Sequence, residues 1–267
     1  MAALAGAGSV LVAFSGGADS ALVLAGAVRA LGPGRVAAAT AVSDAVPGAE
    51  VVAARRLADE LGVGWHEPRT DEMSREGYRA NGGDRCYFCK SELMSVLVPL
   101  AQGLGLAHVA TGTNADDLAA GFRPGIRAAA EVGALTPLAD ARMTKAEVRV
   151  LSAHWGLPTW DKPAAACLSS RIAYGIQITP ALLHRVERTE EAVRSLLGDR
   201  VRDLRVRDLG DGTARVELDA VCLDGLDAGA RAAVADEVRV HGHHQVELRA
   251  FRSGAMNDLL AAPDRYR

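Results

Sequence analysis

The chain reads as an α/β protein, a parallel sheet with helices on both faces, followed by a small α+β domain. Three observations predict this. A short apolar run, Ser9–Phe14 (SVLVAF), breaks at Ser15-Gly16-Gly17 and becomes helical from Ala21 to Ala30, which is strand, glycine turn, helix. Strand-length apolar runs then alternate with helical stretches, the pattern of repeated βα units whose functional loops lie at the carboxyl ends of the strands. Beyond Thr179 the alternation gives way to one helix, a hairpin and a last helix and strand.

The elements follow in order. Arg35–Val42 (RVAAATAV) is a second buried strand, and an amphipathic helix from Glu50 to Leu61 stops at Gly62. Val63–Glu67 is a third strand, Ser91–Leu104 a helix, and His108–Thr111 (HVAT) a short strand leading into a polar loop. From Pro158 to Tyr174 the pattern is irregular. Helix returns over Pro180–Leu197, and the runs Val201–Arg207 and Thr213–Leu218 are strands joined by a hairpin turn at Gly210-Asp211-Gly212. Helix Ala228–Val238 and strand Gln245–Phe251 complete the tail. These readings place a domain boundary near residue 175, with domains 1–175 and 176–267.

A chain of 267 residues suits one large domain with a smaller appendage. Its apolar fraction is 49% but its aromatic fraction only 4%, so the core must be built from Ala, Val and Leu. The net charge of −3 gives no global drive toward nucleic acid or anionic lipid. No apolar run is long enough to span a bilayer, and the Ala-rich start lacks the basic region of a signal peptide. A cytoplasmic protein is therefore expected, with no nucleic-acid or membrane partner. It is also expected to be a homo-oligomer.

Two motifs sit where such a sheet puts its chemistry. Ser15-Gly16-Gly17-Ala18-Asp19-Ser20 (SGGxDS) lies at a strand-to-helix junction, where glycines admit an anion to the backbone and a helix N-terminus offers unpaired N–H donors. Pyrophosphate is the natural guest. The spacing and lysine of a Walker A loop are absent. A simpler reading is a helix capped by Ser15 or Asp19. The second motif, Gly112-Thr113-Asn114-Ala115-Asp116-Asp117, follows the strand at His108 and so falls on the same edge of the sheet. Asp116 and Asp117 are suited to Mg²⁺, a hard cation that prefers oxygen, and are equally suited to capping a helix.

The four cysteines, Cys86, Cys89, Cys167 and Cys222, are too few for a disulfide scaffold. Cys86 and Cys89 form a CxxC pair within RCYFCK, a spacing that lets two thiolates meet one metal centre or exchange with a disulfide. Cys167 lies in a loop of small residues (PAAACLSSR). Three thiolates suffice for three irons of a cubane cluster, leaving the fourth iron open, whereas a structural zinc site usually takes four protein ligands. Buried free thiols are the plain alternative for the pair, and Cys222, in the apolar context AVCLDGL, reads as a core residue.

Taken together, SGGADS, RCYFCK, GTNADD, FRPGIRAAAE, LPTWDKPAAACLSSRIAYG and RVRDLGDGTARVE resemble the LarE family of sulfur transferases, within the PP-loop ATP pyrophosphatases. The likeness covers most of residues 9–220. It implies that ATP and Mg²⁺ bind at Ser15, Gly16, Gly17, Asp19, Ser20, Gly112, Thr113 and Asn114, with Asp19 and Ser20 acting in catalysis. It further implies that a carboxylate of pyridinium-3,5-biscarboxylic acid mononucleotide is adenylated and becomes a thiocarboxylate, a step in making a nickel-pincer cofactor. Family members with a lone cysteine at the position of Cys167 give up that sulfur, whereas those with the CxxC pair are associated with a [4Fe-4S] cluster. The resemblance is to the second type, so Cys86, Cys89 and Cys167 are the expected cluster ligands. The sulfide donor is not implied.

Arg205 and Arg207 alternate on a strand and share a face, and with Arg171 they are expected to take the substrate phosphate. An exposed face of solvated arginines is the alternative reading. Glu190 and Glu191 are expected nearby without an assigned role, and His241-Gly242-His243-His244 reads as a polar turn. A tRNA thiolase, an amide-forming synthetase, sacrificial transfer from Cys167 and a non-enzymatic nucleotide-binding module are the competing functions.

Overall fold

The computed structural model describes residues 2–121, 123–163, 166–252 and 254–260. Phe122, Ala164 and Ala165, which fall within two of the quoted motifs, lie outside the described residues. The chain divides into two compact units. One holds the described residues up to Tyr78 and from Asp84 to Pro163; the other holds Arg79–Gly83 and the described residues from Ala166 onward. The passage at Ala166 comes ahead of the expected boundary near residue 175.

The first unit is built on four strands, β1 (Val10–Ala13), β2 (Val36–Ala39), β3 (Gly64–His66) and β4 (His108–Ala110). They are parallel and ordered β3-β2-β1-β4. Their apolar residues serve two faces by simple alternation. Val10, Val12, Ala38 and Ala110 pack with Leu22, Val23 and Leu24 of helix Ala18–Leu31 and with Val148 of helix Lys145–His154. Leu11, Ala37, Ala39 and Val109 pack with Met94, Leu97 and Ala101 of helix Arg85–Gly103. Successive strands run outward from β1 to β3, and β4 then joins the other side of β1. That reversal makes the carboxyl ends of β1 and β4 the switch point where such sheets bind ligands.

Helix Arg85–Gly103 begins earlier than the expected start at Ser91, so both cysteines of the CxxC pair are helical. The apolar periodicity that marks a helix is weak there because Cys86 faces solvent. Helices Pro124–Glu131 and Lys145–His154 are additions to the sequence reading. Thr144 and Glu147 form a capping box at the start of the latter, the Thr-x-x-Glu signature of a helix N-terminus.

The second unit holds β5 (Leu204–Gly210), β6 (Thr213–Leu218) and β7 (Gln245–Ala250). β5 and β6 are antiparallel, and β6 and β7 are parallel. Asp211 and Gly212 both take positive φ, 49° and 69°, as a two-residue hairpin turn requires. β5 starts three residues later than expected because Asp219 accepts the N–H groups of Arg202 and Asp203, at 2.8 and 3.1 Å, and takes them out of the ladder. Cys222 is buried, as expected of a packing residue, but on a short helix, Ala220–Asp224. Among the described residues no helix is long and apolar enough to cross a membrane.

The His241–His244 segment is the expected turn before β7, yet His243 is 0% exposed and neither ring nitrogen has a hydrogen-bond partner among the described residues. Burial, then Arg185 of helix Pro180–Leu197, hold its imidazole below the usual range; Asp208 of β5 pulls the other way, and His241 and His244 add to the depression. The folded state therefore takes up this proton less readily than the unfolded chain. The resulting stability is complete above the unfolded value of about 6.5 and is lost as pH falls toward the folded one. The urea midpoint should drop between pH 7.5 and pH 5.5 by more in the parent than in His243→Leu; equal drops would refute this origin.

Candidate active site

The phosphate loop follows β1 directly. Gly16 stands at φ 69°, and a Cβ there would lie 3.3 Å from that of Ala54. Helix Ala18–Leu31 starts behind Gly17, and among the described residues no side chain caps it. Neither Ser15 nor Asp19 plays the capping role open to it in the sequence. The Ser15 and Ser20 hydroxyls lie 3.2 Å apart, and Ser20 donates to the Gly17 carbonyl at 3.1 Å. An uncapped N-terminus leaves N–H donors and the positive end of the helix dipole for an anion.

The second motif closes against this loop. A Cβ on Gly112 would fall 2.8 Å from the backbone nitrogen of Ser20, so this approach is open only to glycine. Asn114, 3% exposed, donates through Nδ2 to Asp19 at 3.0 Å. It also caps helix Ala115–Ala119 in a reciprocal capping box with Asp117. Asp117 pairs with Arg123 at 3.3 Å, and Asp116 accepts the backbone N–H of Lys145 at 2.8 Å. Asp117 thus takes part in the cap of its own helix, Asp116 holds a backbone N–H of helix Lys145–His154, and Asp19 is the carboxylate on the phosphate loop itself.

Two lysines given no role in the sequence reading reach this loop. Lys145 pairs its ammonium with the Asp19 carboxylate. Lys162 donates to the Gly16 carbonyl at 3.1 Å and to Glu50 at 2.6 Å. Arg149, one turn beyond Lys145, holds the carbonyls of Trp160 and Lys162 at 3.0 and 2.9 Å. The capping box announces the helix that carries Lys145 and Arg149, but nothing local in the sequence says where those cations go.

Cys86 is exposed and Cys89 half-buried, three apart on one helix and hence on one face. Lys90 is held below its usual range by burial, against the pull of the Cys89 and Cys86 thiolates. Cys167, in the second unit, is half-buried and precedes the turn Leu168–Arg171. Its carbonyl accepts from Ser170 Oγ at 2.7 Å and Arg171 Nη1 at 2.9 Å. Among the described residues no three His, Cys, Asp or Glu side chains are gathered as a metal ligand set.

The expected phosphate arginines are buried, at 3% (Arg171), 6% (Arg205) and 5% (Arg207), which removes the exposed-face alternative. Arg171 forks onto both Glu190 oxygens at 2.9 and 3.1 Å, giving Glu190 the role the sequence left open. Glu190 also accepts the Val206 N–H at 2.9 Å. Arg207 donates twice to Glu217, at 3.0 and 2.7 Å, and to the Ser170 carbonyl at 3.1 Å. Arg205 lies over the Phe251 ring at 5.5 Å, and its pKa is pushed down to about 10 by burial and by Arg171, with Glu190 opposing. Arg205 also donates through Nη1 to the Leu204 carbonyl at 2.6 Å.

Gly112→Ala should weaken binding of magnesium pyrophosphate about tenfold or more, since two loops must part to admit one methyl group. Gly34→Ala, where a Cβ meets nothing within 4 Å, is the control. Titration calorimetry reads both, and equal affinity in the two variants would refute the closed-loop geometry.

No family model matches the chain. It is 46% identical over 208 residues to an uncharacterized protein of Synechocystis sp., covering 78% of this chain and 75% of that one. It is 30% identical over 128 residues to an uncharacterized protein of Methanocaldococcus jannaschii, covering 48% of each. With the pyridinium-3,5-bisthiocarboxylic acid mononucleotide synthase of Lactiplantibacillus plantarum it shares 37% identity over 254 residues, 94% of this chain and 90% of the synthase. With the phosphate loop at the switch point and a relative matched over nearly its whole length, the chain belongs to the LarE family of sulfur-transferring enzymes.

Proposed function

We propose that this protein is an ATP-dependent sulfur transferase that adenylates a carboxylate of pyridinium-3,5-biscarboxylic acid mononucleotide and converts it to a thiocarboxylate, for nickel-pincer cofactor biosynthesis. The observation that carries this reading is the uncapped helix N-terminus between the ends of β1 and β4, closed on its far side by Gly112. The name of the Lactiplantibacillus relative supplies the product, the bisthiocarboxylic acid mononucleotide, and the biscarboxylic acid mononucleotide is the substrate we infer from it.

The chain's own groups have distinct tasks in this scheme. The N–H donors behind Gly17 bind the nucleotide's phosphates, Mg²⁺ arriving with them, and Ser15, Ser20, Thr113 and Asn114 line the same loops. Arg205 takes the phosphate of the mononucleotide, while Arg171 and Arg207 hold the Cys167–Ser170 turn to Glu190 and Glu217. Attack of the substrate carboxylate on the α-phosphorus expels pyrophosphate and leaves an acyl adenylate open to a sulfur nucleophile.

The CxxC pair fits a cluster, since its thiols share a helix face and one is exposed. Cys167 is the third thiol that the likeness to the family assigns to such a cluster. A [4Fe-4S] cluster on Cys86, Cys89 and Cys167 would supply a renewable sulfide.

Protein purified anaerobically should carry about four irons per chain and release pyrophosphate in step with AMP when given ATP and the mononucleotide. Alanine at Cys86, Cys89 or Cys167 should lose the iron and multiple turnover while pyrophosphate release persists. Zinc in place of iron, or full repeated turnover by Cys86→Ala, would return Cys167 to the role of sacrificial donor.

Arg205→Ala should weaken mononucleotide binding by about 1.5–3 kcal/mol and leave ATP affinity unchanged. Arg207→Ala should instead cost about 3–5 kcal/mol of folding stability, because Glu217, 2% exposed, is left buried without its partner. Equal ATP and mononucleotide losses in Arg205→Ala would move that residue to the nucleotide site.

A further inference from the structure

We infer that the outer edge of β7 is a self-docking surface, on which a second copy of this chain lays its own β7 antiparallel, with Leu248 on the two-fold axis. The inference does not depend on the adenylation reading. It starts from which backbone groups of β7 are already used. β6 and β7 are parallel, with Thr213 beside Gln245 and Leu218 beside Ala250. The Gly212 carbonyl accepts the Gln245 N–H at 3.2 Å, and the Leu218 carbonyl accepts the Phe251 N–H at 2.7 Å. Alternate residues of a strand direct their N–H and C=O groups to alternate sides. Gln245, Glu247 and Arg249 therefore bond inward to β6, and Val246, Leu248 and Ala250 turn their backbone groups outward. Among the described residues the sheet order β5-β6-β7 puts no strand on that side.

An open edge invites another strand, and charge is a usual means of refusing one. Here the charges do the opposite. Glu247 and Arg249 lie two apart on one face, 40% and 57% exposed. When two copies of β7 pair about Leu248, Glu247 of each stands opposite Arg249 of the other, at the closely spaced positions where cross-strand side chains meet. Val246 then faces Ala250, and the outward groups of all three residues bond reciprocally. Moving the axis by one residue sets Glu247 against Glu247 or Arg249 against Arg249. Moving it by two shortens the overlap and leaves both charges without a partner across the axis. Charge thus selects the register that also uses every outward backbone group of Val246, Leu248 and Ala250.

Such a contact is isologous and closes at two copies. Val221, on helix Ala220–Asp224 beside β7, is 86% exposed, an apolar side chain left in water near the same strand. The joined sheet also continues the face on which Arg205 and Arg207 stand, since Arg205 is opposite Glu217 and Glu217 beside Arg249. Gln245 of the second copy comes opposite Phe251, whose ring lies 5.5 Å from the Arg205 guanidinium.

Sedimentation of the parent, Glu247→Arg and Arg249→Glu, alone and mixed, tests the pairing. The parent should sediment as an even multiple of one chain. Each variant alone sets like charges across the axis, and its dissociation constant should rise about tenfold or more. An equal mixture should associate again, because the acidic edge of Arg249→Glu meets the basic edge of Glu247→Arg. Amide exchange reads the register: in the parent the Val246, Leu248 and Ala250 amides should be as slow as the inward ones, and in Arg249→Glu only the inward amides should stay slow. A parent of single-chain mass, a variant that associates as the parent does, or a mixture that stays apart would overturn the pairing, as would fast exchange at Leu248 in the associated parent. Should Glu247→Arg fail to fold, Ala250→Pro replaces it, since it deletes an outward N–H in a way an edge strand tolerates. It should weaken association as far, and unchanged association would overturn the pairing equally.

Discussion

The contact on which the site depends is between two backbones. Gly112 comes so near Ser20 that a single methyl group on it would sit 2.8 Å from the Ser20 nitrogen. That approach puts the loop after β4 against the loop after β1 and brings Asn114 within reach of Asp19. An aspartate in the first turn of a helix is well placed to serve the free N–H groups there. Here its carboxylate is held by Asn114 and Lys145, and the helix end remains without a side-chain cap. Leaving an end uncapped costs about 1 kcal/mol. The apolar face of the same helix offsets this, since Leu22, Val23 and Leu24 are each at most 2% exposed beneath it.

What the sequence discloses of this arrangement divides by range. The strand, glycine turn and helix of the phosphate loop are written in adjacent residues, and so is the Asp211-Gly212 hairpin. The loops after β1 and β4 can be placed on one edge of the sheet because parallel strands put their carboxyl ends together, whereas the adjacency of the two strands is seen only in the structure. The partners of charged side chains are a different matter. Lys145 meets Asp19, and Lys162 meets Gly16, across more than a hundred residues, and neither lysine lies in a pattern that names its partner. Arg207 and Glu217 lie close in sequence, yet their pairing depends on register. In the observed register Glu217 stands opposite Arg205 and diagonal to Arg207, and it is the diagonal neighbour that takes the ion pair.

That register also explains why three arginines that look equivalent on paper are not. Buried charge is tolerated when it is paired, and breaking such a pair leaves the partner stranded. Arg171 has Glu190 and Arg207 has Glu217, so each is satisfied by the protein. Arg205 donates through Nη1 to the Leu204 carbonyl at 2.6 Å, and its pKa is pushed down to about 10 by burial first and then by Arg171 and Arg207, with Glu190 and Asp203 opposing.

The cysteines sort by the same physics. A thiol must lose its proton to bind metal or attack an adenylate, so burial among apolar groups argues against either role. Cys222 is in that position: burial raises its pKa, the Asp219 carboxylate raises it further, and its neighbours Val216, Leu218 and Val234 form the core of the second unit. Cys86, Cys89 and Cys167 are all at least partly open to solvent. Cys167 has a fixed backbone, for Ser170 and Arg171 grip its carbonyl and Glu190 grips Arg171 in turn. A residue needed only as a loosely placed thiol has no use for a backbone held by a buried ion pair. A sulfur atom that must meet an acyl adenylate or a shared iron at a defined point does, because a misplacement of about 1 Å at a reacting centre can cost a hundredfold in rate.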